Sequence, residues 1–303
     1  MKHFSDVLAD AVQAKGSLVC AGLDPDLGQM PPEFVAARVG GGGEPAAAAC
    51  IERYCGEIIA AVAPFAAVVK PQAAFFEQYG AAGWAALRAV VHCAHEHGLP
   101  VIVDAKRGDI SSTGRAYARA LFGGAALPGG GTGAGLGADA VTVSPYLGDD
   151  SVTPFSEYCG AGKGVFVLTR TSNPGAARLQ ERDLDGRPLY LRVADLIAEL
   201  GREWVGEHGY SDVGAVAGAT APAALEAVRA ALPNAFLLVP GYGVQGGRAE
   251  DLAGIVAGDA GGFVVNASRS IMYAWRVKGG DHARAAAAAA EEMRDMLAGV
   301  GRR

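Results

Sequence analysis

The sequence predicts a (β/α)₈ barrel, built as a single domain over residues 1–303. Short β-branched runs alternate with longer Ala-, Leu-, Glu- and Arg-rich segments, the pattern of βα units wound into a parallel sheet. Eight such runs occur, with a helical segment after nearly every one. The runs are continuously apolar, as expected of strands buried on both faces.

In chain order, an opening helix is predicted over Phe4–Ala14. Strands are predicted at Ser17–Leu23, Ala66–Lys70, Pro100–Asp104, Ala140–Ser144, Gly164–Thr169, Val213–Gly218, Phe236–Pro240 and Gly262–Asn266. A closing helix is predicted over His282–Leu297; its alanine run, Ala285 to Ala290, is flanked by Arg284 and Glu291-Glu292 and reads as a helix facing water. Three segments interrupt the alternation. Gly40 to Gly43 lies in a long connection after the first strand, Gly129 to Gly137 precedes the fourth, and Ser172 to Pro188 forms a long loop after the fifth. The first two have the composition of flexible insertions. No linker divides the chain.

Composition sets the outer bounds. Half of the residues are hydrophobic and 19% are charged, enough apolar material for a sizeable core and too much for a disordered chain. The net charge is −6 and no basic block stands out, which argues against a nucleic-acid polymer or an anionic membrane as partner. A small anion held by a few local cations remains open. The five cysteines are odd in number and form no Cys-x-x-Cys pair, which suits buried thiols in a reducing compartment. The first residues lack the apolar run of a signal peptide, and no stretch is long and apolar enough to span a membrane. A cytoplasmic location is expected.

In such barrels the chemistry sits at the carboxyl ends of the strands. Those ends carry Asp24, Lys70, Asp104 with Lys106, Ser144, Thr169, Pro240, and Ser268 with Arg269. Charges at the ends of apolar strands are costly to desolvate unless paired, so their concentration on one rim is the main functional signal. The densest group runs Asp104-Ala-Lys106-Arg107-Gly108-Asp109. Asp104 and Lys106 are two apart on an extended chain, so they share a face. Gly108 permits a turn. Asp109 then falls near a helix start, where it would serve as an N-terminal cap. Arg107 would face solvent or a subunit interface.

Further on, Gly241-x-Gly243-x-x-Gly246 matches a dinucleotide fingerprint, but only one strand follows it, which does not fit a Rossmann unit. Glycine amides with Arg269 close behind suit a phosphate monoester instead; a plain tight loop is the alternative. His92, His95 and His97 end a helix and suit its C-terminus, with a metal pair the lesser option. Tyr79, Trp84, Phe122 and Cys20 read as packing residues.

The pattern Asp104-x-Lys106-x-x-Asp109-Ile110-x-x-Thr113 resembles the orotidine 5'-phosphate decarboxylase family, in its longer, bacterial-type branch. The other matches fall in order along nearly the whole chain: Gly22-Leu-Asp24-Pro25, Val69-Lys70-Pro71, Ser144-Pro145, Pro240 to Gly247, and Ser268-Arg269-Ser-Ile271. The resemblance implies decarboxylation of orotidine 5'-monophosphate without cofactor or metal. It gives Asp24 a ribose contact, Ser144 a pyrimidine contact, the Pro240 loop with Gln245 a grip on phosphate, and Arg269 a phosphate charge. Ser268 stands where many relatives have glycine. Lys106 would stabilise and protonate the carbanion left at carbon 6, within a network of Lys70, Asp104 and Asp109. Asp109, Ile110 and Thr113 would reach into a neighbouring subunit's site, making a homodimer. The rivals are a Mg²⁺-dependent sugar-phosphate decarboxylase such as 3-keto-gulonate 6-phosphate decarboxylase, and a phosphometabolite-binding barrel without catalysis.

Overall fold

A computed structural model describes residues 1–36, 42–241, 250–259 and 261–300. Its centre is an eight-stranded parallel sheet: β1 Val19–Leu23, β2 Val68–Pro71, β3 Ile102–Arg107, β4 Ala140–Val143, β5 Gly164–Arg170, β6 Ser211–Ala217, β7 Ala235–Val239 and β8 Phe263–Ala267. Hydrogen bonding runs in the order β2-β1-β8-β7-β6-β5-β4-β3. Parallel bridges Val69–Val101 and Gln72–Asp104 bring the two ends together and close the barrel. All eight predicted strands are present. The third departs most from expectation: it continues through Lys106 to Arg107, so the charges beyond Asp104 belong to the strand and not to a loop.

Helices α1 Phe4–Lys15, α2 Glu44–Val62, α3 Gly80–Glu96, α4 Ser111–Phe122, α5 Leu189–Gly201, α6 Pro222–Ala231 and α7 His282–Leu297 lie outside the sheet or below it. Among the described residues, the crossover after β4 holds a short helix at Thr153–Ser156 and that after β7 a 3₁₀ helix at Glu250–Ile255. Among the described residues no helix is long and apolar enough to cross a membrane.

Two apolar layers result. One fills the space between the strands and the helical ring, with Tyr54, Phe76 and Phe155 fully buried. The other fills the barrel itself, with Cys20, Val68, Ile102, Ala140, Phe166, Phe236 and Val264 stacked against α1. That helix closes the amino-terminal end. It stops at Gly16, whose φ of 54° places it in the left-handed cap position that glycine adopts without strain. Phe4 drives edge-on against Phe166, with ring centroids 6.1 Å apart. A side chain on Gly164 would collide with the Phe4 ring.

The long segment after β5 is not a plain loop. It holds a 3₁₀ turn at Pro174–Ala176, a helical turn at Ala177–Gln180 and a hairpin pairing Asp183–Leu184 with Arg187–Pro188. Asp185 and Gly186 both have positive φ, 52° and 79°, as a two-residue hairpin turn of the mirror-image type requires. The glycine-rich segment before β4 likewise contains a small hairpin, Ala125–Ala126 with Thr132–Gly133.

Candidate active site

Strand geometry builds the site from below. Side chains two apart on a strand share a face, so each inward apolar residue of the barrel floor has an inward neighbour one layer higher. Above Val68 stand Lys70 and Gln72; above Ile102, Asp104 and Lys106; above Ala140, Thr142; above Phe166, Leu168; above Phe236, Leu238 and Pro240; above Val264, Asn266 and Ser268. These upper layers line an open cavity of about 490 Å³, whose wall also includes Asp24, Thr171, Asn173, Gln180 and Arg269. That size fits a small-molecule ligand.

Asp104 is the hub. Its Oδ2 accepts from Lys70 Nζ at 2.7 Å and from Gln72 Nε2 at 2.9 Å. Its Oδ1 accepts from Lys106 Nζ at 2.6 Å and from the Thr142 hydroxyl at 2.7 Å. Burial alone would push this carboxyl up, but Lys70 and Lys106 outweigh burial and hold it well below the usual carboxylate range. Lys70 shows the mirror case. Burial would lower its ammonium, yet Asp104 and then Asp24 hold it above the ordinary lysine value. The two ammonium groups differ in reach: the Lys70 side chain is 5% exposed, whereas that of Lys106 is 45% exposed and stands in the cavity.

Asp24 lies at the end of β1 with the opposite balance. Burial raises its carboxyl despite Lys70 and a hydrogen bond from Ser268. Its Oδ1 is buried without a hydrogen-bond partner, an acceptor that a ligand hydroxyl would satisfy. Ser268 Oγ accepts from Asn266 Nδ2 at 3.4 Å. The room for its hydroxyl comes from Gly22, where a Cβ would overlap Ser268 Oγ. Pro240 and Arg269 also line the cavity, Arg269 exposed at its rim.

Several residues singled out in the sequence do not line the cavity. Ser144 does not line the cavity. Its amide donates to the Arg107 carbonyl at 2.6 Å and its own carbonyl accepts from Ser151. A Cβ on Gly108 would sit 2.6 Å from that carbonyl oxygen, so glycine there serves close approach, not a left-handed turn. Asp109 does not cap α4. The N-cap position is Ile110, and the Asp109 carboxylate accepts only from the adjacent Ile110 amide at 2.8 Å. Asp109, Ile110 and Thr113 stand outside this chain's cavity, with Ile110 44% exposed. Arg107 is half-buried, paired with Glu77 and set over the Tyr117 ring. Thr169 is buried, with its hydroxyl on the Val167 carbonyl. Gln245 and the rest of the 242–249 segment lie outside the described residues. His95 pairs with Asp139 at 2.8 Å and His92 with Glu96 at 3.4 Å. Among the described residues no group of three ligand-type side chains could hold a metal.

Sequence reasoning missed Gln72, Thr142 and Asn266. The signal was available: each lies an even number of residues beyond an inward core position of its own strand segment. It also missed Thr171, Asn173 and Gln180, which the folded segment after β5 brings to the cavity. The Gln180 side chain holds that segment in place by accepting from the Thr171 amide at 2.9 Å.

Residues 17–288 match the family model described as "Orotidine 5'-phosphate decarboxylase / HUMPS family". A protein of Rhodopirellula baltica named orotidine 5'-phosphate decarboxylase is 46% identical over 275 residues, 90% of this chain and 89% of the relative. One of the same name from Roseiflexus castenholzii is 42% identical over 297 residues, 97% of each. The solved structure of Leishmania donovani OMP decarboxylase superposes with a TM-score of 0.74 at 36% identity, covering 98% of both chains.

Proposed function

The chain belongs to the orotidine 5'-phosphate decarboxylase / HUMPS family, and from that premise we infer that it is a carboxy-lyase converting orotidine 5'-monophosphate to uridine 5'-monophosphate and CO₂ in pyrimidine biosynthesis. The observation that carries the mechanism is the doubly paired Asp104, which aligns a buried ammonium and a cavity-facing ammonium on one carboxylate.

The reaction breaks the bond between carbon 6 of the pyrimidine and its carboxylate. CO₂ leaves and the electron pair stays on carbon 6 as a vinyl carbanion, which the ring cannot delocalise. The Lys106 ammonium faces the cavity and is fixed by Asp104, so it stabilises the developing charge without reorganising. It then gives a proton to carbon 6, and water returns one to the amine. Lys70 offsets the Asp104 charge from below. Asp24 supplies an acceptor for a ribose hydroxyl. Arg269, with Pro240 and Ser268 beside it, takes the phosphate.

Asp109, Ile110 and Thr113 do not line this chain's own cavity, and the reading assigns them to the site of a second copy, in a homodimer with shared sites. The whole arrangement rests on one barrel domain and needs only the nucleotide as partner, with no nucleic acid. Five free thiols suit the cytoplasm. The reading takes no metal: four donors already meet the two oxygens of Asp104.

The test is incubation of metal-free purified protein with orotidine 5'-monophosphate, following loss of its ultraviolet absorbance. Turnover that survives a chelator is expected. No absorbance change at high enzyme concentration would sink the reading.

A further inference from the structure

The β3–β4 pairing breaks where the site begins. Ile102 pairs with Ala140 and Val103 with Val141, but the next registered pair is Arg107 with Val143. Three residues, Asp104, Ala105 and Lys106, therefore stand opposite the single residue Thr142. The chain absorbs the surplus at Lys106, whose φ of 47° is a left-handed conformation that costs strain for any residue with a side chain. In that bulge the Lys106 amide bonds to a side chain, the Thr142 hydroxyl, at 2.9 Å. The same hydroxyl donates its proton to Asp104 Oδ1 at 2.7 Å.

We propose that Thr142 is a positioning residue for the decarboxylation, holding the strained Lys106 backbone and the Asp104 carboxylate in fixed relation through one hydroxyl group. This rests on the functional reading above. Thr142 is 1% exposed, so water does not substitute for it in the folded protein. A hydroxyl has one proton and two lone pairs, and here the proton goes to the carboxylate while a lone pair takes the amide. The β-branched side chain has few rotamers, which keeps both bonds in register. Asp104 fixes the tip of Lys106; Thr142 fixes its base. A lysine anchored at both ends presents its ammonium at one point in the cavity, where misplacement by about 1 Å can cost on the order of 100-fold in rate.

The experiment compares wild type with Thr142→Val, Thr142→Ala and Thr142→Ser, measuring kcat and KM for orotidine 5'-monophosphate, and Kd for uridine 5'-monophosphate as the check on folding. Thr142→Val keeps the shape and removes the hydroxyl. Its kcat is expected to fall by roughly 10- to 100-fold while KM and product affinity stay within about threefold. Thr142→Ser restores the hydroxyl and is expected to recover most of kcat. Where the valine variant fails to bind product, Thr142→Ala, which leaves space for water at the orphaned amide, takes its place with the same expectation. A wild-type kcat in a valine or alanine variant that still binds product overturns the proposal, as does a serine variant as slow as valine. An inactive wild-type protein fails the functional reading instead, and is told apart by that result alone.

Discussion

Lys70 and Asp104 meet across the seam that closes the barrel, 2.7 Å apart and both buried, one from β2 and the other from β3. Removing one partner of a buried pair strands the other charge. Asp104→Asn is expected to destabilise the fold by about 3 to 5 kcal/mol. The pH dependence follows from the two shifts. Asp104 is depressed, so its contribution is complete above the unfolded carboxylate value near 3.9 and is lost as pH falls through the folded value. Lys70 is raised, so its contribution is complete below about 10.4 and is lost as pH rises through its folded value. Thermal melts of both proteins should show a constant gap from about pH 5 to 9, closing in acid. A gap that changes steadily across the neutral range would contradict this.

Lys106→Ala removes the ammonium in the cavity and leaves the buried pair intact. The kcat should fall at least about 1,000-fold, because electrostatic stabilisation and proton donation are both lost. Uridine 5'-monophosphate should still bind within a few-fold of wild type, as calorimetry can show. An unchanged turnover number refutes the assignment.

Asp109 lies outside the cavity of its own chain. If it serves a neighbour, Lys106→Ala and Asp109→Ala proteins are each inactive alone but complement when mixed and refolded together. In each mixed dimer one site carries both changes and the other carries neither. Recovery of roughly a quarter of wild-type activity is expected for random pairing. No recovery, with mixed dimers demonstrated by mass, would place Asp109 elsewhere.

Asp24 is raised by burial, so its ionised form is disfavoured in the folded state. The stability this group contributes is full below about pH 3.9 and is lost as pH rises through the folded value. Asp24→Asn should therefore melt higher than wild type at pH 7, with the difference vanishing near pH 3. It should also bind nucleotide more weakly, since the buried Oδ1 acceptor is the group offered to ribose. Tighter nucleotide binding would count against that role.

Arg269 starts the short turn Arg269–Met272 at the cavity rim. A charge-assisted bond to phosphate contributes about 1.5 to 3 kcal/mol, so Arg269→Ala should raise KM by roughly 10- to 100-fold. Orotidine without its phosphate should be handled equally by both proteins; a variant with unchanged KM for the nucleotide would remove Arg269 from the site.

The barrel was legible because eight apolar runs with intervening helical segments leave few other architectures. The ends of the strands were less so. The third strand was expected to stop at Asp104, yet it runs on to Arg107, because Asp104 and Thr142 satisfy groups of Lys106 that a loop would give to water. The two-residue step placed Asp104 beside Lys106 correctly. Applied one strand further it would have found Thr142, and applied to β2 it would have found Gln72. What no local pattern contains is the bulge: the positive φ at Lys106 is set by the register between two strands. Asp109 was misread as a cap because helix α4 starts one residue later than that reading requires, with Ile110 at the N-cap position.

Helix α1 and Phe4 fill the barrel floor against Gly164 and Phe166. Among the described residues the barrel axis is therefore blocked beneath the cavity. The nucleotide, the escaping gas and the product nucleotide must all use the same carboxyl-side rim, and none can pass through the barrel axis. Passage over that rim is a step separate from the chemistry, and changes to the charged network beneath it leave it untouched.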